Sequence, residues 1–287
     1  MATNTRATIF RYAPLFKSLQ TGLLLLTGLA GYMSARCPIF NVFTVLSVAG
    51  SLFLAISGST ILNMWYDRDI DAQMGRTAKR PIPSGQVSPA GALRLGLLLS
   101  FAGVAWAVAM DPLYGAIVFA GLFFDVVVYT IWLKRRTPWS IVWGGLAGGM
   151  PILAGRALGM GQIEWVGVAL ALAVLFWIPT HILTFAMRYH EDYRRAGVPT
   201  IPAAYGFAAT RTIIALSSIL AAVMMGVAAF GIGLEIGYLR VMAVLSVGLL
   251  ALAINSLVRP SERINFGLFK YASLYMMGAM LLLMLVQ

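Results

Sequence analysis

The sequence predicts an all-α, polytopic membrane protein of nine transmembrane helices, arranged as two four-helix halves and a ninth helix. Composition is the first reason: of 287 residues 60% are hydrophobic and 11% charged, whereas a soluble domain carries about 25% charged residues. Mean hydropathy is +0.85, and apolar stretches of about 20 residues, enough to cross the hydrocarbon core, succeed one another almost to the C-terminus. The third reason is a one-sided distribution of Lys and Arg.

In order, the stretches cover 17–35, 41–63, 92–110, 113–133, 139–158, 165–187, 208–231, 238–258 and 267–286. With the N-terminus in the cytoplasm, the breaks near residues 36, 111, 160 and 235 face outwards. They hold only Arg36, Arg156 and Arg240 of the 21 Lys and Arg, as the positive-inside rule requires. Met1 to Tyr12 is polar and carries Arg6 and Arg11, and no cleavage pattern follows it, so a retained cytoplasmic segment over 1–16 precedes a transmembrane domain over 17–287.

Spans two and six are each followed by a long cytoplasmic connection, 64–91 and 188–207, and this recurrence defines the two halves. Repeats of this kind place polar sites where the halves meet. Gly144 with Gly148, and Gly145 with Gly149, have the small-xxx-small spacing of close helix packing. Pro151 and Pro179 each free a carbonyl inside a span, which predicts that spans five and six border a polar cavity.

Several functions are excluded. A single cysteine, Cys37, permits neither an intramolecular disulfide nor a thiolate cluster. The net charge of +11 is explained by topology rather than nucleic acid. Neither a zinc-type Cys/His cluster, a Ser-His-Asp arrangement nor a phosphate-binding Gly-rich loop is present.

What remains is carboxylate chemistry. Asn63, Asp67 and Asp71 recur at i, i+4 and i+8, which puts them on one face of a helix at the membrane surface. Adjacent like charges are stabilised by a shared cation, and carboxylates with an amide oxygen suit Mg²⁺, which binds one or two carboxylates together with substrate phosphates. Arg76, Lys79 and Arg80 follow and suit an oligophosphate.

The second connection repeats the pattern in Arg188, Glu191, Asp192, Arg194 and Arg195. Two acidic sites flanking one diphosphate, each with its Mg²⁺, would neutralise a departing pyrophosphate and leave an allylic carbocation. Lys134 closes span four beside Arg135 and Arg136, where it serves either as a diphosphate contact or as a topological anchor. Asp125 is a carboxylate inside span four, functional or structurally paired, and His181 lies inside span six as a packed group or a ligand. A transporter with cation-binding loops is the competing class; it predicts charges along a path through the helices, and here the acids gather at one face.

These residues resemble the UbiA family of intramembrane prenyltransferases. Asn63, Asp67 and Asp71 match its Asn-x-x-x-Asp-x-x-x-Asp signature. DRDIDAQMGRT-KRPIPSG at 67–85, LKRRTPWSIVWGGLAGGMP at 133–151, WIPTHILTFAMRY at 177–189, DYRRAGVPTIP at 192–202 and LFKYASLYMMGAML at 268–281 resemble the branch that farnesylates haem. The resemblance implies farnesyl diphosphate as donor, haem b as acceptor, Mg²⁺ as cofactor, the cell membrane as location, and a haem A synthase or oxidase assembly partner downstream; an aromatic quinone precursor or an archaeal lipid alcohol is the alternative acceptor.

By resemblance, Lys17 and Lys134 are diphosphate contacts; the charge pattern itself adds Arg76, Lys79, Arg80 and Arg188 as substrate-binding residues. Asp67, Asp71 and Asp192 are the catalytic carboxylates, Asn63 and Glu191 complete the metal set, and His181 approaches the porphyrin. Three positions depart from the family pattern: Asp125 in a stretch usually apolar or aromatic, Arg156 in place of tryptophan, and His190-Glu191 in place of Lys-Asp.

Overall fold

A computed structural model describes residues 12–16, 18–35 and 41–285. The predicted N-terminal segment up to Arg11, together with Lys17, Arg36 and Cys37, lies outside the described residues. Within them all regular structure is helical. Following a short 3₁₀ turn at Ala13–Phe16, the helices are α1 (Ser18–Met33), α2 (Val42–Tyr66), α3 (Arg68–Gln73), α4 (Pro89–Met110), α5 (Pro112–Leu133), α6 (Ser140–Met160), α7 (Trp165–Arg188), α8 (His190–Arg195), α9 (Ile201–Ile232), α10 (Ile236–Val258) and α11 (Glu262–Leu285).

Eight of the described helices are long and apolar enough to cross a membrane; α1, at 16 residues, is apolar but shorter. Each expected stretch contains a helix. The largest displacement is in α9, which begins at Ile201 rather than 208 because Thr200 caps it through the Ala203 amide. Gly206, at φ 78° and ψ 170°, then bends the chain before the long apolar run; only glycine enters that region cheaply. The short helices α3 and α8, six residues each, follow α2 and α7, so the halves recur in element order.

Packing is by small residues, as expected where lipid supplies no hydrophobic drive between helices. Gly31 of α1 lies on the Ile152 carbonyl of α6, and Gly155 of α6 lies on the Gly28 carbonyl, so a side chain at either position collides with backbone. Gly103 seats α4 on Ala55 of α2 in the same way. The glycine pairs of α6 divide their work: Gly145, Gly148 and Gly149 face Leu175, Ile178 and Ala171 of α7, while Gly144 faces Tyr129 of α5.

Two ends result. One carries α3, α8 and the connections around residues 74–88 and 134–139; the other carries the turns near 34, 111, 161 and 233. At the second end Arg156, 5% exposed, is bonded to Glu164 at 2.8 Å and to the Ser34 carbonyl. Glu164 also accepts from the amides of Val166 and Gly167 and so caps α7. Arg156 therefore ties α1, α6 and α7 together.

Candidate functional site

At the α3/α8 end a cavity of about 180 Å³ is lined by Asn63, Asp71, Arg76, Arg80, Asp125, Tyr129, Lys134 and Tyr193, among others. Asn63 stands near the end of α2, and the helix breaks at Asp67 (φ −86°, ψ 6°) before resuming as α3. The amide of Asp67 still bonds the Asn63 carbonyl, and that of Asp71 bonds the Asp67 carbonyl, so the i, i+4 spacing survives the break.

The carboxylates are not at the surface. Asp67 is 1% and Asp71 4% exposed, which corrects the expectation of a carboxylate face at the membrane surface. Buried charges need partners, and each has one: Lys134 Nζ donates to Asp67 Oδ2, and Arg80 donates to Asp71 Oδ2 at 2.6 Å. Burial alone lowers the Lys134 pKa, but Tyr129 and Asp67 beside it outweigh that and hold the ammonium above the ordinary lysine range. Arg135 binds Asp69 through two nitrogens, at 2.6 and 2.7 Å, holding that carboxyl below its usual pKa.

The described residues contain no three His, Cys, Asp or Glu side chains converging as a preformed metal cage. The donor set nevertheless fits a hard divalent cation that takes much of its shell from phosphate. Asp67 Oδ1 is buried without a hydrogen-bond partner, with Arg135 3.6 Å away. The Asn63 side-chain amide donates to Thr130 Oγ1 at 2.7 Å, which fixes the orientation of its amide group.

The second acidic segment borders a different cavity, of about 310 Å³, lined by Arg188, Tyr189, His190, Glu191, Asp192 and Phe207. Glu191 is turned outward onto Arg194 at 2.7 Å, whereas Asp192 is half-buried. The two segments meet through Ile70, Met74 and Val198, with Tyr193 and Ala196 packed on them. Tyr193 reaches from α8 into the first cavity.

Lys79 is exposed and lines neither cavity. Arg76 spans the first cavity and an aromatic pair, its guanidinium 4.8 Å from Phe185 and 5.5 Å from Tyr189. His181 lies away from the cavity walls, stacked between Trp177 and Phe269 at 5.0 and 4.5 Å, with Nδ1 3.2 Å from Ser273 Oγ.

The proline expectation is corrected in part. No residue of α6 lines either cavity, and α7 contributes only Met187 and Arg188 to the second. Pro151 is instead buried against Gly28. Tyr129, Tyr193 and Gln20 were not anticipated; only their adjacency to basic or acidic motifs hinted at them.

A helical bundle with a buried carboxylate, amide and cation cluster at one end has the fold and the polar groups of an intramembrane prenyltransferase. Residues 24–274 match the UbiA prenyltransferase family, and the chain belongs to that family. It is 44% identical over 250 residues to a protoheme IX farnesyltransferase of Pyrobaculum arsenaticum, covering 84% of this chain and 88% of that one. With the protoheme IX farnesyltransferase of Thermofilum pendens it shares 40% over 266 residues, 91% and 93% of the two chains.

Among solved structures, a digeranylgeranylglyceryl phosphate synthase superposes with a TM-score of 0.79 at 19% identity, over 96% and 97% of the chains. A UbiA homologue of Archaeoglobus fulgidus, bound to GPP and Mg²⁺, superposes at 0.71 and 17%, over 95% and 99%. These two share the fold.

Proposed function

We propose that the chain transfers a farnesyl group from farnesyl diphosphate to a vinyl group of haem b, with addition of water, giving haem O and pyrophosphate. Identity of 40% with a protoheme IX farnesyltransferase across nine-tenths of both chains carries this reading, and the basic, carboxylate-lined cavity supports it. In this reading nine helices cross the bilayer of the cell membrane, the N-terminal segment 1–16 is cytoplasmic, and residues 17–287 form one catalytic domain opening to the cytoplasm. A haem A synthase or oxidase assembly factor receives the product.

Asn63, Asp67 and Asp71 would hold one Mg²⁺, and Asp192 with Glu191 a second, the two acidic segments flanking one diphosphate. The metal, when bound, neutralises the diphosphate and makes it a better leaving group. Lys134, Arg76 and Arg80 bind diphosphate oxygens, and Lys17 and Arg188 are assigned as further diphosphate contacts. Because Lys134 and Arg80 are held by buried carboxylates before substrate arrives, little reorganisation accompanies charge development. Bond cleavage then leaves an allylic cation over the interior of the bundle, where apolar walls keep bulk water out. His181, fixed by its two ring neighbours, borders the path of the porphyrin.

The test is incubation of purified protein with Mg²⁺, farnesyl diphosphate and haem b, with 4-hydroxybenzoate as a parallel acceptor, followed by mass analysis. Haem heavier by one farnesyl group and one water is the expected product. Prenylated 4-hydroxybenzoate with unchanged haem overturns the acceptor assignment and leaves the donor chemistry standing.

A further inference from the structure

Asp125 is a carboxylate inside the apolar run of α5, and nothing in the donor chemistry above uses it. Charge at that depth is costly and marks either a function or a strong partner. Ser59 Oγ donates to Asp125 Oδ2, and a carboxylate offers about four lone-pair sites. The side chain also borders the cavity that holds Asp71, Arg76, Arg80 and Lys134.

The backbone is bent to place it there. From Phe123 to Leu133 the helix is π-helical, with the Lys134 amide bonded to the Tyr129 carbonyl and Thr130 Oγ1 to the Asp125 carbonyl, five residues apart in each case. In an α-helix the separation of nine positions from Asp125 to Lys134 makes about two and a half turns, which puts the two on opposite faces. The wider turn brings both onto the cavity wall. Departures of this kind concentrate at functional sites.

Depth distinguishes their roles. Lys134 is at the loop end with Asp67, while Asp125 meets Ser59, one turn of α2 further into the bundle than Asn63. A diphosphate held by Lys134 and Arg80 at the loop end would thus leave Asp125 on the part of the cavity wall nearer the bundle interior.

We propose that Asp125 is the general base that holds and deprotonates the water completing the reaction, an inference that rests on haem as the acceptor. The carbon–oxygen bond of farnesyl diphosphate breaks and pyrophosphate leaves with the electron pair. Farnesyl C1 bonds the terminal vinyl carbon, and the positive charge moves to the vinyl carbon attached to the porphyrin. A water oxygen bonds that carbon, and its proton passes to the Asp125 carboxylate, which returns it to solvent as pyrophosphate departs. Ser59 orients the carboxylate.

Without a base, the cation has a second exit: loss of a proton from the neighbouring CH₂, giving a farnesylated haem lighter by one water. The experiment compares wild type with Asp125→Asn, which preserves shape and the Ser59 bond, by mass ratio of the two haem products and by affinity for farnesyl diphosphate. Asn is expected to bind the donor as wild type does, to form hydrated haem on the order of a hundredfold more slowly, and to shift its product to the lighter mass. Hydrated haem at the wild-type rate overturns the proposal. So does loss of donor affinity or of the folded state in the Asn variant, because the carboxylate then serves only to shape the cavity. Wild type that leaves haem unchanged overturns the acceptor reading itself, a failure seen without the variant.

Discussion

Lys134 Nζ bonds the Asp67 carboxylate across 67 positions of sequence, joining the end of α5 to the junction of α2 and α3 at a site where Asp67 is 1% exposed. Two charges so enclosed are tolerable only together, since removing one leaves the other uncompensated in a poor dielectric. The pair is thus both an element of the fold and part of the cavity.

Asp67→Ala is expected to abolish turnover and also to destabilise the protein by about 3–5 kcal/mol, the usual cost of breaking a buried pair. The double variant Asp67→Asn with Lys134→Met removes both charges, and it should recover most of the stability but none of the activity. Thermal melts in detergent beside product assays check this; an Asp67→Ala protein as stable as wild type would sink the coupling.

Arg80→Ala takes the 2.6 Å partner from Asp71 and one cation from the cavity. A hydrogen bond to a charged group is worth about 1.5–3 kcal/mol, so the donor is expected to bind roughly ten- to hundredfold more weakly. Calorimetric titration with farnesyl diphosphate measures it, and unchanged affinity would remove Arg80 from the diphosphate site.

Chelation of divalent metal should stop turnover and weaken donor binding while the melting temperature of the ligand-free protein stays constant, because Asp67 and Asp71 are already paired with Lys134 and Arg80. Asp192→Ala, at a half-buried position on the short helix α8, is likewise expected to lose activity with little change in stability. Full activity in EDTA would count against the Mg²⁺ assignment.

At the other end, burial raises the Glu164 pKa, but the bonds from Arg156 and the Val166 and Gly167 amides overcome this and hold the carboxyl below its usual value. Folding thus favours the charged form: the contribution is complete above the unfolded carboxylate pKa and disappears as pH falls through the lower folded one. Melting temperature should drop between about pH 5 and pH 3, and Glu164→Gln should flatten that part of the curve. An identical acid slope in the variant would assign it elsewhere.

Much of the architecture could be read from the chain because lipid imposes a simple rule. A helix that crosses hydrocarbon needs an apolar run of fixed length, so the nine stretches located the helices, and the proximity of Asn63, Asp67 and Asp71 followed from their spacing. Charge burial could not be read in this way. The same spacing placed the three residues at the membrane surface and said nothing about Lys134 and Arg80 arriving from elsewhere in the chain or from beyond a turn to enclose them.

Pro151 shows a related limit. A freed carbonyl suggested a polar cavity, but glycines on α1 and α6 let the two backbones approach so closely that the proline is buried in packing. The missing information was a distance between helices, which depends on both partners at once.

By itself, then, the sequence determined the helices, their order, the acidic and basic motifs at one end, and the family. Only the tertiary structure decided which groups share a cavity. Asp125 and Lys134 make the point: a period of 3.6 residues sets them on opposite faces, and the i→i+5 hydrogen bonds of α5, formed against α2 and α6, turn them to the same wall. Helical period is a local property of the chain, whereas a widened turn persists only where neighbouring helices make it the lower-energy packing.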